Sequence, residues 1–310
     1  MSLRIHLGQK NQKNAKRILQ GHLEKCRAAL DQEDAHQAVH EARKEMKKLR
    51  AFSRLMRKEI GKKTYRMTNM YYRDLAQVLS PVRDASAMLD TLKSLAENVT
   101  EEKEKKAFQD IKNHLVSRKS AASRTQIKGD DLLNKLKTDL SRAEKIHGSW
   151  KVRHDDFSAF RGGLGKTYKR CQKAMKKAHK KKTPEAFHEW RKRAKYLRYE
   201  VDYLREIWHH PMKGLEKELH QLTDYLGKDH DLFVLGAHIQ QMEYEDQEAI
   251  HGIIAIINRQ REHLQLIARP LGAKLLLDSK KDFLNRLEHY WKESKKENRI
   301  KQKSQVLAEG

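Results

Sequence analysis

Along residues 35–60, His40, Arg43, Lys44, Lys47, Arg50 and Arg54 recur every three or four positions, and along 184–209 so do His188, Arg191, Lys192, Lys195 and Arg198. Such spacing gathers side chains on one face of an α-helix, because each residue advances by about 100°. With His40 at zero, Arg43, Lys44, Lys47 and Arg54 fall within about 60°, Lys58 returns to the axis, and Arg50 sits about 80° away. Arginine can grip phosphate oxygens through two parallel hydrogen bonds, whereas lysine acts as a mobile point charge. Histidine adds one N–H donor when neutral, or two donors and a charge when protonated. Neighbouring cations lower its pKa and a bound polyanion raises it, so anion binding is expected to take up protons.

A charge run on one helix is usually just its solvated face. Solvated faces, however, mix signs, since like charges at i,i+4 repel. In these two runs the cations stack, while Glu41, Glu45 and Glu59 keep to one flank. Apolar residues take the other side: Ala35, Val39, Ala42, Met46, Leu49, Phe52 and Met56 in the first, Trp190, Ala194, Leu197, Val201 and Leu204 in the second. That density of like charge is tolerable if an anion neutralises it. The second face is shorter, because Asp202 stands where the first has Arg54.

The elements that position these faces are read from apolar periodicity, which is helical nearly everywhere. Helices are expected at 10–30, 35–60, 63–97 (bent at Ser80-Pro81), 101–146, 153–182, 184–209, 212–243 (broken near Gly227), 246–268 and 273–297. Thr183-Pro184-Glu185 is the clearest start: a hydroxyl cap, proline in the first turn, then an acid. The chain also repeats. His40-Glu41-Ala42-Arg43-Lys44 returns as His188-Glu189-Trp190-Arg191-Lys192 at an offset of 148 residues, and Leu75, Leu79 and Asp84 return as Leu222, Leu226 and Asp231 at 147. Two helical halves follow, 10–147 and 150–297, joined near Ile146–Arg153, with a polar tail at 298–310 that is expected to fray. Asp84 and Asp231 are expected to cap or kink helices.

With 310 residues the chain is long enough for a real core. Its formal charge of +25 draws polyanions of any kind. Four prolines leave long uninterrupted helices, and two cysteines, Cys26 and Cys171, make no disulfide framework and are expected to be buried and unreactive. Residues 1–10 lack the apolar segment of a secretory signal, and the longest apolar run, Ile253–Ile257, is far too short to cross a bilayer. A cytoplasmic protein without membrane contact is expected.

At the repeated residues the sequence resembles the CHAD family, the conserved histidine α-helical domain. The resemblance rests on His40-x2-Arg43-x3-Lys47-x2-Arg50 and its copy His188-x2-Arg191-x3-Lys195-x2-Arg198, each followed by a leucine-rich stretch ending in Pro81-Val82-Arg83-Asp84 or Lys228-Asp229-His230-Asp231. It covers about residues 10–297. It implies an all-α fold of two pseudo-symmetric four-helix bundles packed around a central basic groove or pore. It also implies non-catalytic binding of inorganic polyphosphate, with other phosphate polyanions as further ligands, and in several members an association with polyphosphate granules. Carried over position by position, the contacts are His40, Arg43, Lys44, Lys47, Arg50, Arg54, His188, Arg191, Lys192, Lys195 and Arg198. Tyr168, Arg170 and Arg118 are further candidates. Many relatives add a triphosphate-processing β-tunnel; no strand-rich segment occurs in this sequence, so a stand-alone binding domain without cofactor or metal is expected.

Three other functions compete, of which a protein-interaction or membrane-surface helix bundle is set aside because the apolar faces opposite the basic ones are needed for the core. Nucleic-acid binding shares the phosphate chemistry, but single-strand binders add aromatic platforms for bases. Phe52, Trp190 and Tyr203 fall toward the apolar side, leaving only Tyr199 within a basic face. A metal-dependent phosphohydrolase is the enzymatic rival. Lys44 and Lys192 stand where an HExxH motif needs its second histidine, and Gly162-Gly163-x-Gly165-Lys166 lacks the spacing of a phosphate loop. His36 and His40 are at i,i+4, but the second half has Pro184 in place of His36.

Overall fold

The computed structural model describes residues 2–122, 132–244 and 246–309, with the side chains at 81–85, 122, 132, 301–303 and 305–309 outside the described set. The chain runs α1 (Asn11–Leu30), α2 (Ala35–Leu55), α3 (Gly61–Val78), α4 (Ser80–Lys93), α5 (Glu102–Ala122), α6 (Leu132–Ser141), α7 (Ala143–Gly148), α8 (Ser158–Lys181), α9 (Pro184–Tyr203), α10 (His209–Ile239), α11 (Gln247–Leu275) and α12 (Lys280–Glu309). All regular structure among the described residues is helical.

Local chemistry sets the starts of the two basic helices. The Asp34 carboxylate accepts from the amides of His36 and Gln37, and so caps α2. Thr183 accepts from the Ala186 amide ahead of Pro184, as its sequence predicts for α9. Five expected boundaries are corrected. The bend at Ser80 is a full break between α3 and α4, whereas α10 runs unbroken through Gly227, a glycine being merely costly inside a helix. The expected helix 101–146 is interrupted at Arg142, between α6 and α7, and residues 123–131 lie outside the described residues. Pro270 lies inside α11 rather than between two helices. The last helix extends past the expected end at 297, since α12 runs to Glu309.

Two apolar cores hold the helices together, and each draws on both sequence halves. The larger joins Leu23 of α1, Phe52 of α2, Leu164 of α8, Trp190 of α9 and Phe283 of α12. The smaller joins Leu92 of α4, Ile111 of α5, Leu235 of α10 and Ile253 of α11. Full burial of each such side chain stabilises the fold by roughly 1.5–3 kcal/mol. The expected apolar side of the first basic helix is buried from Val39 to Met56, with Ala35 partly exposed. That of the second is buried throughout.

Polar ties fix the join between the halves. Asn11 donates to the carbonyls of His154 and Asp156, Gln12 donates to that of Trp150 and accepts from the Val152 amide, and Glu59 accepts from the amides of Arg153 and His154. Glycine lets α8 press against the end of α2: a Cβ on Gly163 would stand 1.9 Å from the Leu55 carbonyl oxygen.

Candidate functional site

Both basic faces keep the same geometry against the helix that follows them. In the first half Arg43 donates to the Ala76 carbonyl and, at 2.7 Å, to Ser80 Oγ, at the break between α3 and α4. In the second half the Arg191 Nε lies 3.5 Å from where a Cβ on Gly227 would stand, and Gly227 is Ser80 displaced by 147 residues. One level further along, Arg50 Nε donates to Asn69 Oδ1 at 3.3 Å, and Arg198 Nε donates to Glu216 Oε1 at 2.9 Å. Asn69 and Glu216 are again 147 residues apart. The repeat is therefore one of contacts as well as of residue types.

Carboxylates approach both faces. On α2, Lys44 pairs within its own helix with Glu41, 3.0 Å away, and Glu41 also lies 3.8 Å from the His40 ring, which is half exposed. On α9, carboxylates enter from α10: Glu216 binds Arg198 and Arg205, and Asp231 lies 3.9 Å from Arg191. Lys192 pairs with Glu189 at 2.5 Å. The second face is thus more compensated than its sequence suggests. Asp231 lies within α10 beside the arginine and caps nothing; the side chain of Asp84 lies outside the described residues.

His188 carries a partner that the sequence reading missed. Its Nδ1 stands 3.2 Å from Nδ1 of His230, with ring centroids 4.2 Å apart. Burial first, then Arg191 and Lys192, lower the His188 pKa; burial and the His188, Arg191, Lys195 and Arg261 charges push His230 down to about 3. Lys195, packed beside Arg191, is lowered to about 8 chiefly by burial. His230 occupies the place of Arg83 in the repeat, which was the available signal for it.

Arg54 departs from the expected open face. It is buried, donates to the Arg50 carbonyl at 2.8 Å and lays its guanidinium 3.9 Å over the Tyr196 ring of α9. That contact helps define how the two helices cross. Glu45 of α2 binds His22 at 2.6 Å, and His22 in turn meets Tyr203 of α9 at 2.9 Å. Glu45 thus faces Tyr203 while Arg54 faces Tyr196, so α2 and α9 cross antiparallel. The basic faces run in opposite senses from the crossing, with His40 and His188 toward the outer ends.

Of the further candidates, Tyr168 is buried with its hydroxyl on the Asp278 carbonyl, Arg170 is exposed, and Arg118 meets the His238 ring at 3.2 Å. His36 bonds to Ser86 Oγ at 2.8 Å. Both cysteines are buried, with thiol pKa values raised by burial, that of Cys171 to about 12.

A family profile described as the CHAD domain matches residues 17–240. The chain belongs to the CHAD family. The match includes both basic helices and stops within the loop that follows α10. The crystal structure of the CHAD domain from the plant Ricinus communis has the same fold, with a TM-score of 0.57 and 16% identity over 93% of this chain and 95% of that one. A comparison with curated proteins returns no match. No described helix is long and apolar enough to cross a membrane.

Proposed function

We propose that this CHAD protein binds inorganic polyphosphate, without turning it over, through the basic faces of α2 and α9. The observation that carries this reading is the duplicated arginine geometry: Arg43 and Arg191 sit at equivalent points on the neighbouring helix, as do Arg50 and Arg198. Seated guanidiniums lose little conformational freedom when they meet phosphate. Lys44, Lys47, Lys192 and Lys195 add charge between them, and His40 and His188 add N–H donors at the outer ends. Membership in the CHAD family supports the same ligand. Other phosphate polyanions would bind by the same chemistry but less well where their charge is sparser.

Nucleic acid fits less well. Tyr196 lies beneath Arg54, and Tyr199, half-buried beside Arg198, gives at most one place for a base to stack. The deciding experiment is direct binding of polyphosphate to the unaltered protein and to Arg43→Glu/Arg191→Glu, over a range of salt. Affinity should fall steeply with salt and collapse in the double variant. Failure of polyphosphate to displace RNA at equal phosphate concentration would favour nucleic acid. Phosphate release in magnesium or manganese would make the protein an enzyme. Residence in the cytoplasm at polyphosphate granules is the expected location, which imaging of a tagged chain checks.

A further inference from the structure

Beyond the end of α2 the molecule carries a second concentration of positive charge. Arg57 donates from Nε to the Arg54 carbonyl at 3.0 Å and lays its guanidinium 4.7 Å over the Tyr65 ring. The stem of Lys58 lies on α8, where a Cβ on Gly162 would come within 2.4 Å of Lys58 Cγ. Lys166 and Arg170 follow Gly162 by one and two turns on the same face of α8, and Lys62 opens α3. Lys58, Lys62, Lys166 and Arg170 are exposed.

Carboxylates do not balance this cluster. Among the described residues, Arg57, Lys58, Lys62, Lys166 and Arg170 form no ion pair with an acid. Glu59, adjacent in sequence, is turned to the amides of Arg153 and His154 and to the His154 ring. Glu200 lies beneath Arg54 and Arg57, but burial raises its pKa to about 8, so it is mostly uncharged at neutral pH. The Lys166 pKa is lowered first by Arg57, then by burial and by Arg170, Lys58 and Lys62.

The internal repeat supplies a control for this arrangement. At the matching end of α9, Asp202 replaces Arg54 and Glu206 replaces Lys58. There Arg205, the counterpart of Arg57, is held by Asp202 at 2.8 Å and Glu216 at 3.1 Å, while Arg4 bridges Asp202 and Glu206. One end of the duplicated unit is neutralised and the other is left cationic. General basicity would not separate two equivalent ends in this way, because it has no reason to spare one of them.

We propose that Lys58, Lys62, Lys166 and Arg170, with the buried Arg57 adding charge behind them, form a second phosphate-binding surface, which takes the part of a long phosphate polyanion that extends past the α2 face. The inference rests on the reading of the α2 and α9 faces as polyphosphate-binding. It adds a length sensor: chains too short to leave those faces gain nothing from the cluster, and longer ones gain contacts at one end only.

The test compares long-chain polyphosphate with tripolyphosphate, the latter measured by competition, on the full chain and on Lys58→Ala/Lys166→Ala/Arg170→Ala. These are exposed positions, and circular dichroism verifies folding. Lys13→Ala/Lys16→Ala/Lys25→Ala, exposed on α1, removes the same charge elsewhere. Long-chain affinity should fall on the order of tenfold with a shallower salt slope, while tripolyphosphate affinity holds and the α1 variant changes neither. Equal losses for both ligands, no loss for either, or the same loss in the α1 variant would overturn the second surface while leaving the first reading intact. Binding of neither ligand by the unaltered protein would remove both.

Discussion

Arg198 donates from Nε to Glu216 Oε1 at 2.9 Å, in the position where Arg50 donates to the neutral Asn69. A carboxylate in that place orients the guanidinium but also competes with any incoming anion. Glu216→Gln keeps an acceptor for Arg198 and removes the competing charge. Polyphosphate affinity should rise by roughly three- to tenfold with a steeper salt slope. Thermal stability should drop modestly, since Arg205 loses the same partner. Titration by fluorescence anisotropy beside a melting curve separates the two effects. Unchanged or weaker binding would mean that Arg198 does not meet the anion.

The pairing of His188 with His230 leads to a proton-linked effect. Both pKa values lie below the ordinary 6.5, so both rings are largely neutral at pH 7 in the free protein. Burial first, and then Arg191, Lys192, Lys195 and Arg261, hold them so, against Glu189 and Asp231. A bound polyanion screens those cations and raises both values, so binding takes up protons and strengthens as pH falls from about 7.5 to 6. Calorimetry in buffers of different ionisation enthalpy should record this uptake, and His230→Gln should reduce it. An identical observed enthalpy in every buffer would place the pair outside the site.

The parts of this molecule that sequence reveals are those with a local period. The cationic faces, their apolar backs and the Thr183 cap depend on residues within a few turns, and the 148-residue offset exposes the duplication. What sequence hides is set by contacts between distant helices. His230 reaches His188 and Glu216 reaches Arg198 only because α10 packs on α9, and His22, which binds Glu45, reaches Tyr203 across 181 residues. The residues Leu79-Ser80 and Leu226-Gly227 are equivalent, yet one pair breaks a helix and the other does not. The first is followed by Pro81, which has no N–H to continue the helical ladder, where the second half has Lys228.

Lys195 is the lysine of the second face whose charge is least secure. Burial and the neighbouring Arg191 bring its pKa to about 8, against Asp231 and Asp224, which favour the charged form. Raising the pH from 7.5 to 9 removes that charge from the free protein, whereas a bound polyanion restores it, so affinity should weaken across this range. Lys195→Arg keeps its charge throughout and should flatten the profile, whatever its affinity at neutral pH. Equal pH dependence in the two proteins would assign the effect to another group.

Glu200 makes the stability of the scaffold itself depend on pH. It is fully buried, accepts from Thr167 Oγ1 at 2.7 Å, and has a pKa raised from 4.5 to about 8 by burial, against the favourable charges of Arg57 and Arg54. The unfolded chain loses this proton near 4.5 and the folded chain near 8, so between those values the folded state holds the extra proton. Stability must therefore fall as pH rises through that window and level off above it. Glu200→Gln preserves the acceptor for Thr167 and removes the ionisation. Its melting temperature should match that of the unaltered protein near pH 4.5 and exceed it increasingly toward pH 8. If the two proteins instead keep a constant difference over the whole range, Glu200 is ionised in the fold and paired with Arg54 and Arg57.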